Sequence, residues 1–411
     1  MHTHEVFFDE TGVHVTTIGL PRETARGEAR VALVPLEVAA LRKLGHDVIF
    51  EPGAGTSSGF SDEDYAARGA TSAPRAEVFD AQVVVCVRAP GGAGPATDGE
   101  LAELRPGLVL VGMSNPLGNP TTAKQVAERG VTSFALELVP RITRAQAMDV
   151  LSSQAVIAGY KSVLVAAERS DKIFPMLSTA AGTLRPTKVL VVGVGVAGLS
   201  AIATARRLGA VVQAYDVRPE AREQVESVGG KFVELSLDTS GASGGGGYAA
   251  AMGEDFYRRQ QELLTSTVAS NDIVITTAQV PGRRAPVIVT AAMVSAMRPG
   301  SIVIDVAAAQ GGNCELTRPD ESVEVDGVTI YGPTNLPATV PAHASQLYAK
   351  NVGNFLGLVL GPHGLVLDLD DPIVTSSLVS QGGTVVHPAV QEALGVPTAG
   401  PQQPAFVTTG S

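Results

Sequence analysis

The stretch Lys188-Val-Leu-Val-Val-Gly193-Val-Gly195-Val-Ala-Gly198 decides the fold of this 411-residue chain. Its four consecutive aliphatic residues predict a buried strand, and the glycines that follow match the GxGxxG pattern of a dinucleotide-binding turn. A helix-like stretch, Ala197–Leu208, comes next, and Asp216 ends the next predicted strand, 18 residues after Gly198. Together these features predict a phosphate-binding turn with a helix N-terminus aimed at a pyrophosphate.

Each glycine of this motif has a predicted task. Gly193 permits the tight turn, Gly195 lets the backbone approach the pyrophosphate, and Gly198 lets the helix pack closely on the strand. The Asp216 carboxylate is placed to accept hydrogen bonds from both ribose hydroxyls and to repel a 2′-phosphate. The pattern therefore favours NAD(H) over NADP(H), and the nearby Arg218 weakens that argument. The alternative is that the glycines serve only helix–strand packing.

Short apolar runs alternate with helix-like stretches along the whole chain, which predicts an α/β fold. We expect two doubly wound parallel-sheet (Rossmann-like) domains joined by long helices. The first domain is discontinuous, residues 1–143 plus 343–395, and the NAD-binding domain is residues 170–340. Residues 144–169 form a single predicted linking helix, and residues 396–411 a disordered tail.

Composition excludes several classes of function. The 30 basic and 41 acidic residues give a net charge of −11, and charged residues are 17% of the chain against the roughly 25% of typical soluble domains. An acidic chain without a Lys/Arg block binds nucleic acid and anionic membranes poorly. Two cysteines, Cys86 and Cys314, are too few for a metal cluster or a disulfide framework. With no signal-peptide pattern at the N-terminus, we expect a soluble cytoplasmic protein that uses no nucleic acid and no metal.

Four further segments resemble the alpha subunit family of proton-translocating NAD(P) transhydrogenases. They are Arg141-Ile-Thr-Arg-Ala-Gln-Ala-Met-Asp149, Phe174-Pro-Met-Leu-Ser-Thr-Ala-Ala-Gly-Thr183, Gly247-Tyr-Ala-Ala-Ala-Met252 and Gln310-Gly-Gly-Asn-Cys-Glu315. The likeness runs from Val15 to Glu392, nearly the whole chain. The wider superfamily includes alanine dehydrogenase and lysine-forming saccharopine dehydrogenase.

The resemblance implies an NAD(H)-binding component that forms a homodimer. Its partners would be a membrane subunit that conducts protons and a subunit that binds NADP(H), with hydride passing directly between the two nicotinamides. Fused members of the family continue into membrane spans, whereas this chain ends in a polar tail, so we expect the split form. Partner subunits would then hold it peripherally on the inner face of the plasma membrane.

The resemblance also places Arg141, Gln146 and Asp149 against the nicotinamide, with Ser152 one turn further. A guanidinium and an amide can hold the carboxamide and fix the rotation of the ring, and direct transfer needs close alignment of the two rings. The alternative is an ordinary ion pair between Arg141 and Asp149 at a helix end.

The segment Gly241–Tyr248, with five glycines, resembles the mobile loop that closes over the nucleotide in this family. Tyr248 would then cover the adenosine with Met252 beside it; the alternative is a flexible linker. The complete predicted nucleotide site comprises Gly193, Val194, Gly195, Val196, Ala197, Gly198, Asp216, Val217, Arg218, Gly247, Tyr248, Met252, Thr277, Ala278 and Gln279.

Two other functions stay open. A stand-alone dehydrogenase similar to alanine dehydrogenase would use Arg30 and Arg88 on a substrate carboxylate, but it needs a general acid. The position of that histidine falls near Met113-Ser-Asn115, and no histidine occurs between His46 and His343. Ala309 stands where that enzyme has an acid and where the transhydrogenase pattern has Glu. The third possibility is a non-catalytic NAD-binding module.

Overall fold

The structure, a computed structural model, describes residues 15–235, 237, 253–279, 284–361 and 364–396. The chain divides into two compact units. The two-segment unit consists of Met1–Ser153 and Pro341–Ser411, and the central unit is Gln154–Val340. The first division falls within the predicted linking helix, residues 144–169. The predicted lid and nearly all of the predicted tail lie outside the described residues.

The first segment of the two-segment unit alternates strands with short helices. In chain order these are β1 (Thr17–Leu20), α1 (Pro35–Lys43), β2 (Asp47–Phe50), α2 (Asp62–Ala66), β3 (Thr71–Ser72), α3 (Arg75–Phe79), β4 (Val83–Arg88), α4 (Asp98–Ala102), β5 (Val109–Met113), α5 (Pro120–Glu128) and β6 (Thr132–Ala135). Helix α2 begins with a capping box, because the Ser61 hydroxyl accepts from the Asp64 amide and the Asp64 carboxylate accepts from the Ser61 amide.

The predicted start of the linking helix, at residue 144, is wrong. Thr143–Met148 forms a 3-10 helix, Asp149 is extended, and α6 (Val150–Arg169) begins after it. The physical reason is a cap: the Asp149 carboxylate accepts from the backbone amide of Ser152 at 2.9 Å, which satisfies a free N–H of the first turn.

The central unit continues with a hairpin and a second alternating series. Its elements are β7 (Leu177–Thr179), β8 (Gly182–Leu184), β9 (Lys188–Val192), α7 (Val196–Arg207), β10 (Val211–Tyr215), α8 (Ala221–Ser227), β11 (Lys231–Phe232), α9 (Glu254–Ser270), β12 (Ile273–Thr276), α10 (Ala291–Ser295), β13 (Ile302–Asp305), β14 (Ser322–Val325) and β15 (Val328–Tyr331).

The C-terminal segment of the chain returns to the two-segment unit. It contributes α11 (Pro341–Val359), β16 (Leu360–Gly361), β17 (Gly364–Leu365), α12 (Pro372–Ser377), β18 (Leu378–Gln381), β19 (Thr384–Val385) and α13 (Pro388–Leu394). Strand β18 pairs antiparallel with β6, with Leu378 opposite Phe134, so the two segments share one sheet.

Both large sheets are doubly wound, which confirms the predicted fold class. In the two-segment unit the strand order is β19-β18-β6-β5-β4-β1-β2-β3, parallel from β6 to β3. In the central unit the order is β11-β10-β9-β12-β13-β15-β14, parallel except for β14. The chain order reverses between β1 and β4 in one sheet and between β9 and β12 in the other, and ligands bind at such reversals.

Strand β9 shows why these sheets carry so little charge. Val189 and Val191 pack into the apolar cluster on one face of the central sheet. Leu190 and Val192 pack into the cluster on the other face. A parallel sheet covered by helices on both faces needs nearly continuous apolar strands.

Helix α6 is, among the described residues, the one helix that is long and apolar enough to cross a membrane by length and composition. Within its most apolar window, 44% is buried inside the protein. Core helices of soluble proteins have the same composition.

The contact between α6 and α7 provides a test of the packing. A Cβ atom on Gly159 would lie 2.0 Å from the Ala197 carbonyl oxygen. We expect Gly159→Ala to lower the free energy of unfolding by about 1–3 kcal/mol, because the helices must move apart. Urea denaturation measures the change.

The matched control is Gly357→Ala in α11, where no atom lies within 4 Å of the new Cβ. That variant should be as stable as the wild type or up to about 1 kcal/mol more stable, since alanine favours helix. Equal stability of the two variants would contradict the close packing at Gly159.

Candidate nucleotide site

The phosphate turn joins β9 to α7 in the central unit. Gly193 has φ of 93°, a conformation that favours glycine. A Cβ on Gly193 would lie 2.7 Å from the Ala278 amide nitrogen, and one on Gly198 would lie 2.0 Å from the Gly193 carbonyl oxygen. Side chains at these two positions would therefore push apart the turn, the helix and the neighbouring strand.

The middle glycine of the turn faces open space. No atom lies within 4 Å of the position where a Cβ on Gly195 would stand, and Gly195 is exposed. Val196 and Ala197 begin α7 and are partly exposed, while Val194 is buried. Gly195 makes no side-chain cap, so the first amides of α7 are open to an anion. The outer side of the turn is therefore open at Gly195.

The Asp216 carboxylate, predicted to accept from the ribose hydroxyls, already has hydrogen-bond partners within the protein. One carboxylate oxygen accepts from the Val194 amide at 2.7 Å and from the Arg218 guanidinium at 2.9 Å. The other accepts from the backbone amide and the Nε of Arg218, both at 2.9 Å. Arg218 also donates to the Val194 carbonyl at 3.0 Å. The side chains of Asp216 and Arg218 are only 6% and 9% exposed.

This pair changes the argument about nucleotide preference. The hydrogen bonds to Asp216 hold the pKa of Arg218 above its usual value, so a positive charge stays beside the Asp216 carboxylate. Ribose hydroxyls must share the Asp216 carboxylate with the guanidinium or displace it. Repulsion of a 2′-phosphate by Asp216 is correspondingly weakened by the adjacent positive charge. Val217, between the two, is partly buried.

The end of β12 forms the other wall of the turn. The Thr277 hydroxyl donates to the Gly193 carbonyl at 2.8 Å. The Ala278 amide donates to the Asn313 side chain at 2.9 Å, and the Gln279 side chain donates to the Val306 carbonyl at 3.3 Å. Thr277 and Ala278 therefore lie against the phosphate turn, and Gln279 follows them with its side chain hydrogen-bonded to the residue after β13.

Sequence reasoning missed Asp305 and Asn313, which stand behind this wall. Both are fully buried and fully hydrogen-bonded through their side chains. A signal was present: Asp305 ends a strand, Asp216 comes directly after one, and the pair Gly311-Gly312 predicts a turn with positive φ. Both glycines do have positive φ, 97° and 80°.

The predicted nicotinamide residues lie in the two-segment unit, at or before the start of α6. Arg141 Nε is 3.7 Å from an Asp149 carboxylate oxygen, and the Ser152 hydroxyl donates to that carboxylate at 2.6 Å. Asp149 thus caps α6 and pairs with Arg141, as the structural alternative predicts. Gln146 is exposed.

Side chains of α11 and the Asp371 side chain hold the segment Arg141–Asp149 in place. Asn351 and Asn354 both donate to the Ala147 carbonyl, at 2.8 and 3.0 Å. Arg144 makes a bidentate ion pair with Asp371, at 2.8 and 2.5 Å. The residues around Gln146 are therefore held in place while Gln146 itself is free to contact a ligand.

The predicted lid residues Gly247, Tyr248 and Met252 lie outside the described residues. Among the residues that the structure does describe, no group of three or more His, Cys, Asp or Glu side chains could hold a metal ion.

The two arginines of the dehydrogenase alternative share one buried acid, Glu28, in the two-segment unit. Glu28 accepts from Arg30 at 2.7 and 2.6 Å and from Arg88 at 3.3 Å. Burial alone would raise the pKa of Glu28, but the hydrogen bonds and charge of Arg30, with the charge of Arg88, lower it to about 2. Burial raises the pKa of the neighbouring Glu23 to about 7. Glu28 therefore already accepts hydrogen bonds from both arginines.

Comparisons with known proteins cover nearly the whole chain. Residues 19–158 match the N-terminal domain of the alanine dehydrogenase/PNT family, and residues 162–388 match its C-terminal domain. The first of the separate parts of the NAD(P) transhydrogenase alpha subunit of Rhodospirillum rubrum is 46% identical over 384 residues, 91% of this chain and 98% of that protein.

Solved structures agree with these matches. A transhydrogenase structure from Sinorhizobium meliloti has a TM-score of 0.79 and 42% identity, covering 91% of this chain and 99% of that one. An L-alanine dehydrogenase structure has a TM-score of 0.76 and 28% identity, covering 92% of this chain and 99% of that one.

The Asp216–Arg218 pair yields a prediction about binding. Asp216→Asn keeps an acceptor for the Val194 amide but loses the charge, so we expect NADH affinity to fall by about 1–3 kcal/mol. The unfolding free energy should also fall, because the buried Arg218 guanidinium loses the negative charge opposite it. Fluorescence titration with NADH measures the affinity at a temperature where the variant is folded.

Asp272→Asn is the matched control. Asp272 pairs with Lys172 and accepts from the backbone amide of Lys188 at the start of β9, so it lies at the opposite end of the strands from Asp216. It should lose stability and keep its NADH affinity. If Asp216→Asn bound NADH like the wild type, Asp216 would serve only folding.

Proposed function

The chain belongs to the alanine dehydrogenase/PNT family and, within it, to the NAD(P) transhydrogenase alpha subunits; on this premise we propose that it binds NAD(H) and exchanges hydride with NADP(H) held on a partner subunit. A membrane partner that conducts protons couples this exchange to proton translocation. When NAD(H) is bound, its nicotinamide supplies or accepts the hydride.

The observation that carries the proposal is the phosphate turn at the β9–β12 reversal. The amides at the start of α7 would hold the pyrophosphate beside Gly195, where space is open. The Asp216–Arg218 pair, next to Val194, would hold the adenosine ribose. These contacts use backbone amides and one ion pair, which suits a nucleotide that must be both bound and released.

The nicotinamide contacts rest on the loop that includes Arg141, Gln146, Asp149 and Ser152. Gln146 supports this role, because its side chain is exposed while the Ala147 carbonyl behind it is held by two asparagines. We propose that Gln146 orients the carboxamide of the ring. Asp149 keeps Arg141 and Ser152 in place around it.

A hydride exchange between nicotinamides is favoured over amino-acid oxidation by the surroundings of Arg30 and Arg88. Glu28 accepts hydrogen bonds from both side chains, and a keto-acid carboxylate would have to compete with it. Reduction of a carbonyl also requires a proton donor, whereas exchange between two nicotinamides protonates no oxygen or nitrogen. Ala309 cannot donate a proton.

The partners and location are proposed on the same basis. A net charge of −11 gives this subunit no electrostatic attraction to an anionic membrane. We propose that protein partners hold it at the inner face of the plasma membrane, and that the lid residues Gly247, Tyr248 and Met252 cover the adenosine of the bound nucleotide.

The hairpin of β7 and β8 supports a homodimer. All its residues are exposed, including the large apolar side chains of Leu177 (46%) and Leu184 (56%). Met176, just before it, is 66% exposed. A two-stranded hairpin is marginally stable in water by itself, and exposed apolar clusters mark contact surfaces. A second copy of the chain would cover this hairpin.

The deciding experiment is a reconstituted transfer assay. The purified chain should bind NADH and show no alanine dehydrogenase activity; with the NADP(H)-binding component of a relative, it should pass hydride from NADH to an NADP analogue. Gln146→Asn should slow this transfer roughly 10- to 100-fold with NADH affinity nearly unchanged, because a shortened amide misplaces the ring.

Gln125→Asn, on an exposed position of α5, is the control and should transfer at the wild-type rate. NADH binding without transfer in the mixture would refute the transhydrogenase function. Turnover of alanine by the chain alone would favour the dehydrogenase alternative.

The homodimer has its own test. Leu184→Glu should shift the chain from dimer to monomer in analytical ultracentrifugation, since a charge would be buried in the contact. Leu44→Glu changes a leucine that is 61% exposed after α1 and should leave the dimer intact. A dimer of equal strength in both variants would exclude the hairpin as the interface.

A further inference from the structure

The segment Gln310-Gly-Gly-Asn-Cys-Glu315 has no role in the function proposed so far. It follows β13 in the central unit, after a 3-10 turn over Ala308–Gln310. Gly311 and Gly312 both have positive φ, so the chain reverses sharply there. The reversal brings Asn313 back toward the carboxyl ends of β13 and β12.

Asp305, the last residue of β13, fixes this reversal. A Cβ on Gly312 would lie 2.7 Å from its carboxylate, so the loop wraps closely around the acid. The carboxylate is fully buried and accepts five hydrogen bonds. The donors are the Thr276 hydroxyl (2.9 Å), the Ala307 amide (3.0 Å), the Asn313 amide (2.8 Å), the Cys314 amide (2.9 Å) and the Thr317 hydroxyl (2.6 Å).

Asn313 uses its side chain to hold the backbone beyond β12. Its Oδ1 accepts from the Ala278 amide at 2.9 Å, and its Nδ2 donates to the Ala278 carbonyl at 2.8 Å. The second Nδ2 hydrogen bonds the Pro286 carbonyl at 2.8 Å. Asn313 therefore pairs with Ala278 as a neighbouring strand would, at a point where β12 has ended.

Ala278 in turn forms the wall against the phosphate turn. Its amide nitrogen lies 2.7 Å from the position of a Cβ on Gly193, and the preceding Thr277 hydroxyl donates to the Gly193 carbonyl. In a doubly wound sheet the two halves of a dinucleotide lie on opposite sides of the strand reversal. Asp216 follows β10, on the adenosine side of β9, so Ala278 after β12 lies on the nicotinamide side.

We propose that Asn313 is a positioning residue for the nicotinamide half of NAD(H), acting through the Ala278 peptide, with Asp305 as its anchor. The inference rests on the proposed NAD(H) site. This role explains why Gly311, Gly312 and Asn313 follow Asp305, the buried acid that ends β13. A displaced Ala278 would narrow the nicotinamide side of the crevice and leave the Asp216 side unchanged.

The test compares two probes, NADH and AMP, on the full chain. Asn313→Ala should weaken NADH binding about tenfold, because Ala278 loses both of its hydrogen bonds to this side chain. AMP, which lacks the nicotinamide half, should bind with wild-type affinity. Calorimetry with each probe gives both dissociation constants, and thermal unfolding reports stability separately.

Asn271→Ala is the matched control. Asn271 is 1% exposed and its Nδ2 also donates two bonds, to Gln213 at 3.1 Å and to the Thr267 carbonyl at 2.8 Å. It precedes β12, at the opposite end of the same strand. This variant should lose comparable thermal stability but keep its affinity for both probes.

Asn313→Asp keeps the acceptor for the Ala278 amide and replaces the donor by an oxygen facing two carbonyls. It should show the same selective loss of NADH binding, and it decides the question if Asn313→Ala does not fold. Unchanged NADH affinity, or equal weakening of NADH and AMP, in the folded variant would overturn the inference. A wild-type chain that binds AMP but not NADH would overturn the proposed function itself.

Discussion

The central unit depends on backbone packed directly against backbone at the phosphate turn. With no side chain on Gly193 and Gly198, the turn, α7 and the residues after β12 approach to distances that a single methyl group would prevent. That approach lets Thr277 reach the Gly193 carbonyl and lets the first amides of α7 face the open space at Gly195. Fold and anion site thus share one constraint, and neither can change without the other.

Charge in this chain is placed sparingly and is neutralised locally. Glu28 pairs with Arg30 and Arg88 in one unit, and Arg218 pairs with Asp216 in the other. Asp305 accepts its five hydrogen bonds from neutral donors. Buried ions require such partners, because unpaired charge is costly away from water. The low charged fraction of the sequence therefore reflects two sheets buried on both faces.

Features set by local sequence could be predicted, and features set by distant partners could not. The GxGxxG turn, the strand alternation and the Ser61 capping box need only neighbouring residues, and the structure contains all three. The start of α6 could not be predicted, because nothing in the sequence separates Asp149 from an ordinary helical residue. Only the structure shows that its carboxylate accepts from the backbone amide of Ser152. The pairing of Asp216 depends on the rotamer of Arg218. The contacts of Asn313 depend on the loop reversal after β13. Hydrophobic periodicity in the sequence reports neither feature.

The two-segment unit has a consequence for how the protein is made. Its sheet is completed by β18, whose Ser380 hydroxyl bonds Ser133 in β6 at 2.6 Å across 247 residues of chain. On the ribosome, β1 to β6 emerge first, but their sheet is incomplete until the last segment supplies β18. The central unit is contiguous, and all of it is synthesised before that last segment. The central unit can therefore fold first, and the two-segment unit is completed only when its last segment has been synthesised.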